Sequence, residues 1–219
     1  MEIEHEASPP ESRLGVRVRQ WMDLLSAVVM AAATVATAYS AYQSSLWNGQ
    51  QNEHKSRSTA ALVRASKLSN LAMQRTAVHV NLFVHWLSAT NRDDHRTADF
   101  LFRRFPEPLK TAADAWQASK PFENPDAPAS PFDMPQYALL ERIDADRWEQ
   151  VAQDESAAAD NTGAMSNRYL LFTIIYASVL FLAGISGKFK WPAIDLTVLV
   201  LGAVTLVAGV AIIIALPRL

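Results

Sequence analysis

Three stretches of this chain are apolar almost throughout: 21–43, 168–187 and 192–216. A long polar segment, 44–167, lies between the first and the second. The pattern predicts an all-α protein with three transmembrane helices and an extramembrane helical hairpin or bundle inserted between the first two spans. Trp21 to Tyr42 covers about 32 Å as a helix, enough to cross a hydrocarbon core. Its apolarity is weak, because Ala, Thr and Ser dominate. Ala32, Ala36 and Ser40 recur at i, i+4, and Ala33, Thr37 and Ala41 do the same. Small residues at that spacing let another helix approach closely, so this span is expected inside a bundle. Arg168 to Ile185 forms the second span. Ser186 to Lys190 makes a tight turn, and Pro192 suits the first turn of the third helix. Ile194 to Leu216 is the most apolar run, with Gly202 and Gly209 marking a packing face.

A cleaved signal peptide competes for the first run, with Ala36-Thr37-Ala38 as its cleavage site. The long acidic tail before it and Asp23 at its start speak against cleavage. So does the aromatic continuation at Tyr39, Tyr42 and Trp47, which suits an interfacial belt.

The polar segment carries its own periodicities. Ser44 to Thr90 holds no Pro, and Leu62, Ala65, Leu68, Leu71, Ala72, Val78, Leu82 and Trp86 recur at three- and four-residue steps. This predicts one long amphipathic helix with Gly49 as its one weak point. Thr90 and Asp93 resemble a capping box opening a short helix from Asn91 to Arg104. Leu109, Ala112, Ala113 and Trp116 predict a third helix. Prolines at 121, 125, 128, 131 and 135 rule out helix interior from Lys120 to Gln136. That segment, 120–136, is expected to be an extended strap pinned by Phe122, Phe132 and Met134, with a turn at Asn124-Pro125-Asp126. A Pro-rich ligand for aromatic grooves is the alternative. Gln136 to Asn167 returns to helix through Leu139, Leu140, Ile143, Trp148 and Val151. Two helices that leave and re-enter one membrane patch are expected to pair antiparallel. Gly49 and Gly163 each lie six residues beyond the expected membrane edges at Gln43 and Tyr169. They are therefore candidates for a hinge or a close helix crossing.

Charge sharpens the division. The polar segment holds 13 of the 20 Lys and Arg and 16 of the 22 Asp and Glu. The whole chain carries a net −2, which supplies no basic field for nucleic acid. Residues 1–20 read as a disordered tail, acidic and then basic. Arg13, Arg17, Arg19, Lys188 and Lys190 flank one side of the spans, against Lys55, Arg57, Arg168 and Arg218 on the other. This bias places the N-terminus in the cytoplasm and the helical domain outside. Trp21 with Trp191, and Trp47 with Tyr42 and Tyr169, form two matching interfacial belts.

Candidate chemistry is sparse. There are no cysteines, which excludes disulfides, thiolate metal sites and Cys nucleophiles. His5 sits among Glu2, Glu4 and Glu6 on a tail with no fixed geometry. His79 and His85 are six apart, a poor spacing for joint ligation. Asp93, Asp94, His95 and Asp99 cluster where first-turn acids serve the helix dipole. Asp23 and Asp195 are the carboxylates nearest the membrane, and both open helices. No Gly-rich phosphate loop, G-x-S-x-G or H-E-x-x-H motif occurs. No catalytic, cofactor-binding or metal residue is assigned, and no cofactor is expected. The expected partners are the lipid bilayer and a second copy or another membrane protein, with no nucleic acid. A non-enzymatic assembly role for the helical domain is the leading reading, and a subunit of an oligomeric channel or transporter is the alternative.

Three segments carry a resemblance: ATAYSAYQSSLWNGQQ (36–51), NPDAPASPFDMPQY (124–137) and FLAGISGKF (181–189). They resemble a widespread group of uncharacterised bacterial three-span integral membrane proteins. The resemblance implies a bacterial cytoplasmic membrane and this three-span layout, and it brings no activity and no catalytic residues.

Overall fold

A computed structural model describes residues 13–188 and 191–219. Among these the chain forms five α-helices and no strand: α1 (Arg13–Asn91), α2 (His95–Phe102), α3 (Leu109–Ala118), α4 (Leu140–Ile185) and α5 (Pro192–Ala215). A short 3-10 turn, Pro131–Asp133, interrupts the strap. Residues 1–12 of the expected tail lie outside the described residues. Residues 13–20, which the sequence assigned to that tail, are the first turns of α1. No Pro occurs from 13 to 20, so nothing there stops the helix extending backwards. Three helices are long and apolar enough to cross a membrane: α1, α4 and α5.

The chain divides into two compact units, one of residues 1–53 with 158–219, the other of residues 54–157. The first holds the three apolar helix segments. Its core is Val29 and Ala33 of α1, Tyr169, Tyr176, Val179 and Ala183 of α4, and Leu199, Leu206 and Ile213 of α5. Gly202 packs on Val179 and Leu182. A Cβ on Gly209 would stand 2.9 Å from the Tyr176 ring, so the glycine makes room for that aromatic. Tyr169 is fully buried, and its hydroxyl donates to the Pro217 carbonyl at 2.9 Å.

The second unit has an aromatic core. Phe83, Trp86 and Ala89 of α1 meet Ala98, Phe105, Leu109, Ala113 and Trp116. Phe132 and Met134 of the strap, with Tyr137 just after it, pack against them. The rings meet mostly edge to face, with Phe83 5.4 Å from Trp116 and 5.8 Å from Phe132. Such pairs add to the burial of their area. The strap is fixed by the Trp116 indole, which donates to the Pro128 carbonyl at 2.7 Å. Asn124 makes the expected turn, its side-chain oxygen accepting from the Asp126 amide at 3.0 Å.

Three sequence expectations are corrected. The short helix after α1 starts at His95, and Asp94 is its cap, accepting from the Thr97 amide. Thr90 instead donates back to the Trp86 carbonyl, since a hydroxyl inside a helix finds the i−4 carbonyl first. The return helix begins at Leu140, not at Gln136, because Pro135 and Gln136 lie in a turn closed by the Tyr137 amide on the Met134 carbonyl. Phe122 does not pin the strap by burial. It is 75 % exposed and meets the Trp116 ring at 5.9 Å.

Candidate functional site

Each unit contains a seam between α1 and α4. In the second unit Ser58, Ala61, Ala65, Ala72 and His79 are buried on α1, and Ala145 and Ala152 on α4. Ser58, Ala65, Ala72 and His79 lie seven apart, as do Ala145 and Ala152. A seven-residue repeat keeps one face of a helix toward a partner over many turns. Ser58 donates to the Ala152 carbonyl at 2.8 Å, His54 meets Glu155 at 2.6 Å, and Arg75 meets Glu141 at 2.6 Å. Contact positions rise along α1 as they fall along α4, so the two segments run antiparallel. Arg64 stacks over Trp148 at 4.6 Å beside the seam.

The first unit repeats the device. Ser26 donates to the Ala183 carbonyl at 2.8 Å. Ser44 donates to the Ser166 carbonyl at 3.0 Å, and Ser166 donates to the Ser44 carbonyl at 2.9 Å. A side-chain hydroxyl reaches the neighbouring helix's backbone only when the two axes lie close, which small residues permit.

Ala65, Ala72 and Trp86 of the expected apolar stripe are buried, but several of its larger members are not. Leu62, Leu71 and Val78 are 51, 42 and 57 % exposed, and Leu140 and Ile143 are exposed as well. Helices that meet through Ala and Ser leave longer neighbours splayed to the flanks. The signal was present in the sequence as Ser and Ala at seven-residue intervals. The expected stripe took in Ala65 and Ala72 and passed over Ser58 and His79.

The residues singled out from the sequence fall in different places. Ser40 is fully buried and donates to the Ala36 carbonyl. Ala36 packs partly against the first unit's core, while Ala32 is exposed and Ala33 beside it is buried. Gly49 sits inside continuous helix, and a Cβ there would meet nothing within 4 Å. Gly163 is the crowded one: a Cβ would collide with the amide end of Gln51, 2.2 Å away. The close approach is therefore Gly163 against Gln51, not glycine against glycine. Asp195 is buried, and its carboxylate accepts from the Gly187 amide at 2.9 Å, fixing a turn whose glycine has φ of +86°. Asp23 is exposed and its carboxylate lies beside the same glycine.

His79 is buried, and its Nδ1 lies 2.9 Å from the Tyr137 hydroxyl. Burial, and then the Arg75 guanidinium, push its pKa below the usual histidine value. The imidazole and the tyrosine hydroxyl share this hydrogen bond, its direction set by the imidazole tautomer. Burial in turn raises the Tyr137 pKa, which keeps its hydroxyl protonated. Tyr137 also lines an open apolar cleft of about 480 Å³ with Ala72, Met73, Thr76 and Arg142. Among the described residues no three His, Asp or Glu side chains converge on a common point. Asp94, from the acidic cluster near His95, is occupied as a helix cap, and its bonds to Thr97 hold its carboxyl below the usual range.

A scan against protein-family models, a search of curated proteins and a search of solved structures return no match to this chain.

Proposed function

We propose that this chain is a multi-pass protein of a bacterial cytoplasmic membrane whose helical domain, inserted between the first two spans, mediates assembly or partner binding outside the cytoplasm. The observation that carries the reading is an unpartnered apolar stripe on α1. Leu62, Met73, Val80 and Val84 share one helix face at 100° per residue and are 51, 57, 39 and 54 % exposed. They lie in the second unit, beyond the apolar run of α1, where lipid does not cover them. An exposed apolar row of this kind marks a protein contact. The antiparallel α1 and α4 segments are a two-stranded coiled-coil scaffold that presents it. The channel alternative draws no support from Asp195, whose carboxylate is engaged in a turn.

The test is chemical cross-linking of the full chain in membranes, followed by affinity capture. A discrete cross-linked species is expected, and replacing Leu62, Met73, Val80 and Val84 together by Gln is expected to abolish it while leaving the helical circular dichroism intact. A chain that stays monomeric and partnerless would sink the reading.

A further inference from the structure

The first unit carries a groove that its own helices do not fill. Ala32, Val35, Ala36 and Tyr39 of α1 form one wall, Val210, Ile213 and Ile214 of α5 the other, and Tyr176 the floor. Its volume is about 550 Å³. Arg218 stands at one end. Apart from that end the lining is aliphatic and aromatic. The small side chains of Ala32 and Ala36 are what leave the space open.

The depth of the two ends differs. Arg218 follows the end of α5, next to Pro217, whose carbonyl takes the Tyr169 hydroxyl. Tyr42 and Trp47 belong to the same end of the apolar run of α1, so this is the level of an interfacial belt. From the end of α5 at Ala215 to Val210 the groove descends about 7.5 Å of helix into the apolar zone, with Arg218 three residues beyond that end. The guanidinium gives one N–H to the Ile214 carbonyl at 3.1 Å, and a planar fork of this kind carries five N–H donors. A basic, bidentate head above a narrow apolar slot matches an amphiphile with an anionic head and an extended chain.

We propose that this groove binds one anionic phospholipid, with its phosphate on Arg218 and an acyl chain lying between α1 and α5. The proposal rests on the membrane reading given above. A second copy of the chain fits less well. Seated here about a two-fold axis along the membrane normal, it would bring its own Arg218 to the same level, charge against like charge.

The experiment uses the full chain reconstituted in vesicles of equimolar phosphatidylglycerol and phosphatidylcholine, extracted gently and weighed by native mass spectrometry. One retained phosphatidylglycerol per chain is expected, preferred over phosphatidylcholine by about fivefold, the increment of one basic residue at a bilayer surface. Arg218→Gln is expected to bring that ratio near one while keeping a lipid bound. Ala36→Phe, which fills the slot, is expected to release the lipid altogether. Excess glycerol phosphate in the buffer is expected to displace nothing, since the chain as well as the head is held. Equal retention of the two lipids by the unmodified chain overturns the proposal, as does an unchanged preference in Arg218→Gln. A lipid-free dimer that Ala36→Phe dissociates also overturns it and assigns the groove to a second copy. Alkaline carbonate treatment of the same vesicles separates the two levels of failure. A chain that carbonate strips off fails the membrane reading, whereas an embedded chain without lipid preference fails this inference alone.

Discussion

At the scale of single residues, three glycines that look alike in sequence have different surroundings. Gly49 lies in helix with open space where a Cβ would go. Gly49→Ala is expected to raise stability by about 0.5–1 kcal/mol, the cost of glycine in a helix interior. Gly163 faces the far end of a flexible Gln51, which can swing aside, so Gly163→Ala is expected to be nearly neutral. Gly209 faces the rigid ring of the buried Tyr176, which must shift before a Cβ fits. Gly209→Ala is expected to cost about 1–3 kcal/mol through overpacking. Thermal unfolding of the three variants in one detergent should give this order. His79 supplies a pH signature. Its pKa is depressed in the folded chain, so below the unfolded value of 6.5 the unfolded state binds more protons. Its contribution is complete above about pH 6.5 and is lost as the pH falls from there toward the depressed folded value. Melting of the wild type at pH 7.5 and 5.5, compared with His79→Gln, should show a smaller pH difference in the variant.

At the scale of elements, the pairing of α1 with α4 depends on small residues. Ala152 is 2 % exposed and receives the Ser58 hydroxyl on its carbonyl, so a larger side chain pushes the helices apart and breaks that bond. Ala152→Leu is expected to destabilise the second unit by about 1–3 kcal/mol, with the loss of a hydrogen bond worth about 1 kcal/mol included. Leu140→Ala, at a position 74 % exposed, is expected to stay within about 0.5 kcal/mol. The contrast inverts the usual ranking, in which leucine matters more than alanine. Urea titration followed by tryptophan fluorescence would report it, since Trp86 and Trp116 sit in that unit's core.

At the scale of the whole molecule, the proposed orientation puts the helical domain outside and the turn before α5 inside. The chain has no cysteine, so any introduced thiol is a unique reporter. Val78→Cys, at a site 57 % exposed, is expected to react with an impermeant maleimide on intact cells. Trp191→Cys, at a site 72 % exposed, is expected to react only after permeabilisation. The reverse pattern would invert the topology. It would leave the stripe on α1 as an assembly surface, facing the cytoplasm.

The sequence by itself determined that the chain is helical and that three helices are apolar enough to span a membrane. Length and hydropathy settle those points locally, because a run of some twenty apolar residues has few alternatives. It also located α3 and the turn at Asn124, where Pro and Asn act on their own backbone. Tertiary structure decided what each helix buries. The expected stripe joined Leu62, Leu71 and Val78, which are exposed, to Ala65, Ala72 and Trp86, which are buried, so steps of three and four alone did not choose among them. The choice follows from how near two helices can come, and that is set by the partner's small residues at Ala145 and Ala152 rather than by α1 itself. The groove under Arg218 has the same origin. Ala32 and Ala36 read as a packing face, but only the placement of α5 beside α1 turns them into the wall of an open slot.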